Sequence, residues 1–547
     1  MTVMNMLKLN IIALGVVGLG LASCADSFLD VEAETSIFDT NFYQTIDDFE
    51  MALVGCYDGY QRTSSNGNLA FYVTSEVLSD NCFGGTGNTD SRSYQLLDRF
   101  DLSQAPSENN LFNGTWSDYY AAIFRCNTLL QKMSGINWEG NEEKKKTIEG
   151  ETRFLRAKLY FDLVRLFNRV PLILEPTTAN VPQAEASETY KVIAEDLKFA
   201  AENISAEAYS SSWAAANDGM VTQWAAKSLL ARVFLFYTGY YGTTDVEGVV
   251  DHNYVLAGLE DVIANGGYGL VDAYKNLWEA ASSIPNEEEN SLETTWAGRG
   301  NKEFVFTQKF NFTQDYNGNL DGNRWLVMMG MRNTNFSPYG KGWGACTVNP
   351  KLVAAFEVGD TRKTASVIDV AAEGIDDIFD KKDQREYTGY SNKKYTPMCL
   401  PDGTTAVEGL GDGDNQISQY QDFVVIRYAD VLLMAAEMGS VNAQTYFDMV
   451  RARAGLESKA VSKDNIMAER QAEFAFEGLR YWDLLRQGLA FAATEIAESN
   501  VSVLSGNVED FVNISSANIT ATKGFMQIPN TQITLSDGVL VQNEGWK

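Results

Sequence analysis

Glu473 and Glu477 stand four residues apart in NIMAERQAEFAFEGLRYWDLLRQG, and neighbouring carboxylates are the parts from which a glycosidase is built. That chemistry needs the two groups to face each other across a cleft, roughly 5 to 9.5 Å apart. One helix face would point both the same way. Arg470, Arg480, Asp483 and Arg486 share the segment at ion-pair spacing, so the pattern predicts structural salt bridges. Histidine occurs once, as His252 in the turn-like Asp251-His252-Asn253-Tyr254, so a Ser-His-Asp or Cys-His site would rest on that single ring. The cysteines Cys24, Cys56, Cys82, Cys126, Cys346 and Cys399 form no C-x-x-C pair and no zinc-ligand spacing. With Cys24 set aside the remainder is odd, and which of them bond is open. Asp412 and Asp414 in LGDGDNQ cluster oxygens as calcium prefers, but without EF-hand spacing or its terminal glutamate. An acidic turn is the expected reading, with structural calcium the weaker alternative and no other cofactor implied.

Binding chemistry is better represented. A sugar needs flat aromatic faces for its rings, and amides, carboxylates or arginines for its hydroxyls; Trp, Tyr and Arg dominate such recognition surfaces. SDNCFGGTGNTDSRSYQLL offers Asp80, Asn81, Phe83, Arg92 and Tyr94 among glycines that allow close backbone approach. A second set is Trp296 in TTWAGRG, with Arg324, Trp325 and Trp343 in NRWLVMMGMRNTNFSPYGKGWG. Trp116, Trp224 and Trp482 fall in helical patterns and are expected in the core.

These side chains must be positioned by a mainly helical frame. Phe49, Leu53, Cys56 and Tyr60 recur every three or four residues, as do Leu155, Leu159, Leu163 and Phe167 ahead of Pro171. Ala225, Ala226 and Ala231 beside Trp224 and Phe234 allow close helix approach, as in tetratricopeptide hairpins, although the strict repeat consensus is absent. From Asp251 to Gln421, Gly, Asn, Asp and aromatics dominate, with strand-like pieces at 303–308 and 423–427. Helix returns after 427, and the tail reads as extended. The expected division is 1–23 signal, 24–45 tether, 46–250 helical region, 251–421 loop-rich ligand face, and 422–547 helical region with tail.

The chain opens with an apolar run from Ile11 to Ala22, too short for the roughly 20 residues that span a bilayer, behind Lys8. Leu21-Ala22-Ser23-Cys24 resembles the bacterial lipobox, which implies cleavage before Cys24 and lipidation of its thiol. The net charge of −30 opposes nucleic acid and anionic lipid surfaces and favours neutral ligands.

GETRFLRAKLYFDLVRLFNRVPL, GWGACTVNPKLVAAFEVGDTRK, IRYADVLLMAAE, VRARAGL, ERQAEFAFEGLRYWDLLRQG and IPNTQITLSDGVLVQNEGW, in this order, resemble the SusD/RagB family of Bacteroidetes outer-membrane lipoproteins. The resemblance implies a mainly α fold with four degenerate tetratricopeptide-like helix pairs and a loop-rich region with short strands. It implies a surface-exposed, non-enzymatic glycan-binding lipoprotein, anchored in the outer membrane, that serves a SusC-like TonB-dependent porin. It also implies that the loop holding Asp80 to Tyr94 contributes to the glycan site. A peptide-binding, RagB-like protein is the alternative, and a glycoside hydrolase a lesser one. Many relatives carry a tight acidic run after the lipidated cysteine, whereas Asp26, Asp30 and Glu32 are dispersed here.

Overall fold

Residues 42–64, 69–103, 110–311, 322–407 and 419–546 are described by the structure, a computed structural model. Cys24, Asp412 and Asp414 lie outside these residues.

Eight helices of the described residues pack as four successive pairs. They are α1 (Ile46–Arg62) with α2 (Asn113–Lys132), α3 (Glu142–Phe167) with α4 (Ala186–Asn203), α5 (Gln223–Tyr241) with α6 (His252–Asn265), and α7 (Tyr428–Glu437) with α8 (Ala443–Arg453). The remaining helices are named by their residues.

Local chemistry fixes the ends. Thr45 and Asp48 close a reciprocal capping box at the start of α1, which satisfies amides that have no helical acceptor. Thr222 caps α5, and Gly242 ends it at φ 70°, where a side chain would be strained. The helix α3 stops before Pro171: Asn168 turns to φ 60° and its amide donates to the Val164 carbonyl. His252 is not in a turn. Asp251 accepts the Tyr254 amide at 2.9 Å and so starts α6 with His252 as its first residue.

The apolar stripes meet as their spacing requires. Phe49, Leu53, Cys56 and Tyr60 are buried on α1, and Leu155, Leu159, Leu163 and Phe167 on α3. Trp116, Trp224 and Trp482 are core residues. The close approach of α1 and α2 depends on Gly59, where a Cβ would stand 3.1 Å from the Ala122 Cα. Gly59→Leu is expected to force the pair apart and cost about 1–3 kcal/mol, read as a lower urea midpoint at unchanged m-value.

The strands are short and non-local. β1 (Cys82–Gly85) pairs antiparallel with β3 (Ala345–Val348), and β2 (Phe304–Gln308) with β4 (Phe423–Arg427). The tail is more ordered than an extended reading suggests, with a hairpin of Glu498–Ser505 and Val508–Ile514 and short helices at Ser516–Ala521 and Asn530–Leu535.

A buried ion network joins the loop-rich region to the last helix pair. Arg427, at the end of β4, donates to Glu303 at 2.7 Å, to Glu473 at 2.8 Å and to Glu477 at 2.8 and 2.9 Å. Arg453 also donates to Glu303 and Glu473, Arg362 to Glu473, and Lys394 to Glu477. Glu473 and Glu477 therefore do form salt bridges, but not on one helix face. The helix Lys463–Glu473 ends at Glu473, and positive φ at Phe476 and Gly478 wraps the chain so that both carboxylates close on Arg427. Of the neighbouring pairs, Arg470 and Arg486 both bind Asp483.

Candidate functional site

The segment 80–94 divides in two. Asp80 is locked by Nε and Nη2 of Arg480, each at 2.8 Å. Asn81 accepts from Gln471 at 3.1 Å, and its carbonyl accepts the Asn349 amide at 2.8 Å. Phe83 is fully buried in β1. These three, expected at a ligand, are buried in the structure, in β1 or just before it where the chain runs beside β3, and the glycines allow close packing there. A Cβ at Gly84 would come within 2.7 Å of the backbone at Tyr94. Beyond the strand the chain surfaces. Arg92 is exposed, and half-buried Tyr94 donates its hydroxyl to the Met328 sulfur at 3.3 Å.

The second set divides similarly. Trp325 is completely buried, with ring centroids of Tyr395 at 4.6 Å and Phe423 at 4.9 Å, so it is a core residue and not a platform. Arg324 is also buried, its guanidinium 4.7 Å from the ring of half-buried Trp343. Arg332 ties that corner together: it donates to Asp90 at 3.0 Å, to Asp383 at 2.9 Å and to the Trp343 carbonyl at 3.4 Å. Tyr94 and Trp343 thus sit on one patch, through Met328 and Arg324 of the same short helix, with exposed Arg92 two residues before Tyr94.

Trp296 lies elsewhere, on the opposite side of the short helix Arg324–Met329. Leu326 of that helix lines a cleft of about 460 Å³ with Trp296, Glu279, Arg299, Tyr420 and Gln421. The Arg299 guanidinium lies 4.7 Å from the Tyr420 ring and 3.5 Å from the Asp422 carboxylate, which also holds Lys309. Glu279, in the one-turn helix Glu279–Ser282, presents a half-buried carboxylate that accepts no hydrogen bond among the described residues. Burial pushes its carboxyl above the usual range, against the pull of Arg299. Two aromatics, a carboxylate, an amide and a guanidinium are thereby brought to one concave surface.

A larger cavity of about 520 Å³ shares Arg299 and is lined by Tyr57, Asp58, Asp218 and Lys309. Its acidic groups are paired: Asp58 with Arg62 at 3.1 Å, and Asp218 with Lys309 at 2.5 Å. Tyr57 is engaged by Glu151. Among the described residues the smaller cleft combines stacking faces with a carboxylate that accepts no hydrogen bond, and that combination makes it the candidate site.

Glu473 and Glu477 are buried beneath arginines and open to no cleft. Burial alone would raise the Glu473 carboxyl, but Arg453, Arg427 and Arg362 hold it well below the usual range. It can neither deliver a proton nor attack a sugar. The single imidazole is likewise engaged, with Nε2 2.9 Å from the Met438 carbonyl.

Glu279, Arg299 and Tyr420 were not singled out by sequence. Arg299 stands three residues after Trp296 in TTWAGRG and was the available signal; Glu279 and Tyr420 reach the cleft only through the fold. Because the Glu279 carboxyl is raised, its favourable contribution to stability is complete below the unfolded carboxyl range and is lost as pH rises through the folded value. Glu279→Gln is therefore expected to raise the melting temperature at pH 7 to 8, and to leave it unchanged near pH 4, in a thermal scan against pH.

Two family models match. The model described as the SusD family covers residues 379–546, and the one described as starch-binding associating with outer membrane covers residues 27–235. A SusD-like protein of Bacteroides ovatus is 23% identical over 524 residues, covering 88% of this chain and 82% of its own. SusD-like protein P38 of Formosa agariphila is 24% identical, covering 88% and 92%. Among solved structures, a laminarin-binding SusD-like protein aligns with TM-score 0.72 and 28% identity over 92% of this chain and 100% of that one. A surface glycan-binding protein A from Bacteroides thetaiotaomicron in complex with laminarihexaose aligns with TM-score 0.71 at 20% identity, covering 91% and 99%.

Proposed function

From the premise that this chain belongs to the SusD/RagB family, we propose that it captures a glycan at the bacterial surface without cleaving it and passes it to a SusC-like TonB-dependent porin. Cys24 carries the lipid that holds it in the outer membrane. The observation that carries the binding reading is the Trp296 cleft, where the Glu279 carboxylate, which accepts no hydrogen bond among the described residues, shares the lining with Trp296 and Arg299.

The division of labour follows from the chemistry of a sugar. Trp296 stacks on the apolar face of a pyranose ring, Glu279 accepts from vicinal hydroxyls, and Arg299 and Gln421 donate to ring or hydroxyl oxygens. Tyr420 backs Arg299 and keeps its plane fixed. The patch of Arg92, Tyr94 and Trp343 supplies a second contact on a longer chain. Contacts of this kind are individually modest, which suits a protein that must release its cargo to a transporter. A neutral glycan also meets no repulsion from a surface carrying −30.

The 28% identical laminarin-binding relative makes a neutral β-glucan the first ligand to test. Affinity gels containing laminarin and a panel of neutral and acidic polysaccharides should show retarded migration of the protein in at least one neutral glycan. The same incubations should release no reducing ends. Unretarded migration throughout, with binding to mixed peptides, would replace the glycan by a peptide; released reducing ends would make the protein an enzyme.

A further inference from the structure

The described residues hold five cysteines, all buried and unlinked in the structure. They are not equivalent. Cys56 lies on α1 and Cys126 on α2, and these helices touch backbone to backbone. Gly59 rests on Ala122, and the Arg125 guanidinium donates to the Gly55 carbonyl at 2.7 Å. One turn back from Gly59 and one turn forward from Ala122 are Cys56 and Cys126, which therefore face each other across the same seam. Both side chains are fully buried in the seam.

Cys82 and Cys346 are also neighbours, but across a strand pair, and the Cys346 thiol donates to the Val73 carbonyl at 3.8 Å. Cys82 is opposite Val348, so Cys346 sits on the diagonal, where backbone positions are roughly 7–8 Å apart. A disulfide spans roughly 4.4–6.8 Å between Cα atoms. Cys399 stands apart, its thiol 3.1 Å from the Tyr339 carbonyl.

We propose that Cys56 and Cys126 are joined as a disulfide when the chain folds in an oxidising compartment, while Cys82, Cys346 and Cys399 remain thiols. The compartment rests on the surface location proposed above; the choice of pair rests on the helix seam alone. The oxidant is a disulfide-bearing thiol oxidoreductase. One cysteine thiolate attacks the oxidant's disulfide, forming a mixed disulfide and releasing one oxidant thiolate. The second cysteine then displaces the other oxidant sulfur, so two protons and two electrons leave the pair and the oxidant ends as a dithiol. The exchange belongs to folding. In the finished seam the neighbouring Cys126 thiol and burial push the Cys56 thiol well above its usual range, and no reagent reaches it. The same burial protects the bond once it is made.

The test uses the full chain recovered in detergent from the outer-membrane fraction. It is acid-quenched, denatured without reductant, labelled with N-ethylmaleimide and peptide-mapped by mass spectrometry. Label is expected on Cys82, Cys346 and Cys399 and not on Cys56 or Cys126, which should appear as one cross-linked peptide pair; prior reduction should add label at both. Label on Cys56 and Cys126 in the unreduced sample overturns the proposal. Recovery in the cytosol would strike the surface location instead, and the pair would then be tested on reduced chain refolded with glutathione disulfide, with the same pattern expected.

Discussion

Replacing Arg427 by alanine is expected to remove about 3–5 kcal/mol of folding stability, the range for breaking a buried ion pair by deleting one partner. Arg427 is buried and donates to three carboxylates, those of Glu303, Glu473 and Glu477, and to the Glu473 carbonyl at 3.0 Å. Its loss strands negative charge where water cannot reach, and Arg453, Arg362 and Lys394 are already bound to the same groups. Against total stabilities of about 5–15 kcal/mol, that loss threatens the native state outright. The check is chemical denaturation of Arg427→Ala beside Arg62→Ala, whose exposed pair with Asp58 should cost about 1 kcal/mol or less. Similar midpoints for the two variants would contradict the account of the network.

Trp296→Ala has the second large effect, and of the opposite kind. Trp296 is half-buried in a loop and takes no part in the main core, so its removal should leave the melting temperature within a degree or two. A stacking platform at the centre of a binding surface is worth about 2 kcal/mol or more when truncated, which is about a 30-fold weaker Kd. Trp343→Ala should weaken long glycans more than short ones, because Trp343 belongs to the outlying patch. Trp325→Ala should fail differently, by unfolding, since its ring is enclosed by Tyr395 and Phe423.

These contrasts show which parts of the molecule were legible in the sequence. Helices are written locally: the stripe of Phe49, Leu53, Cys56 and Tyr60 predicts a buried face from spacing alone, and the structure buries all four. The strand-like pieces at 303–308 and 423–427 were legible as strands, though nothing local said that they pair with each other. Long-range pairing is also what buries Asp80, Asn81 and Phe83. Glycines flanking polar and aromatic residues describe a ligand loop and a close-packed strand equally well, and the choice was made by β3 and by Arg480, both hundreds of residues away. Glu473 and Glu477 were correctly read as structural, but their partners came from Arg427, Arg453, Arg362 and Lys394 rather than along the helix. Glu279 carried no signal, because an uncommitted carboxylate is a property of its three-dimensional surroundings.

Isothermal titration of the wild-type protein, Trp296→Ala and Glu279→Gln against a glycan that retards the wild type tests the central claim most directly. The account predicts a saturable wild-type isotherm, about 30-fold weaker binding for Trp296→Ala at unchanged melting temperature, and weaker binding for Glu279→Gln despite its higher stability at pH 7 to 8. Unchanged affinity in both variants would place the glycan away from this cleft and contradict the account.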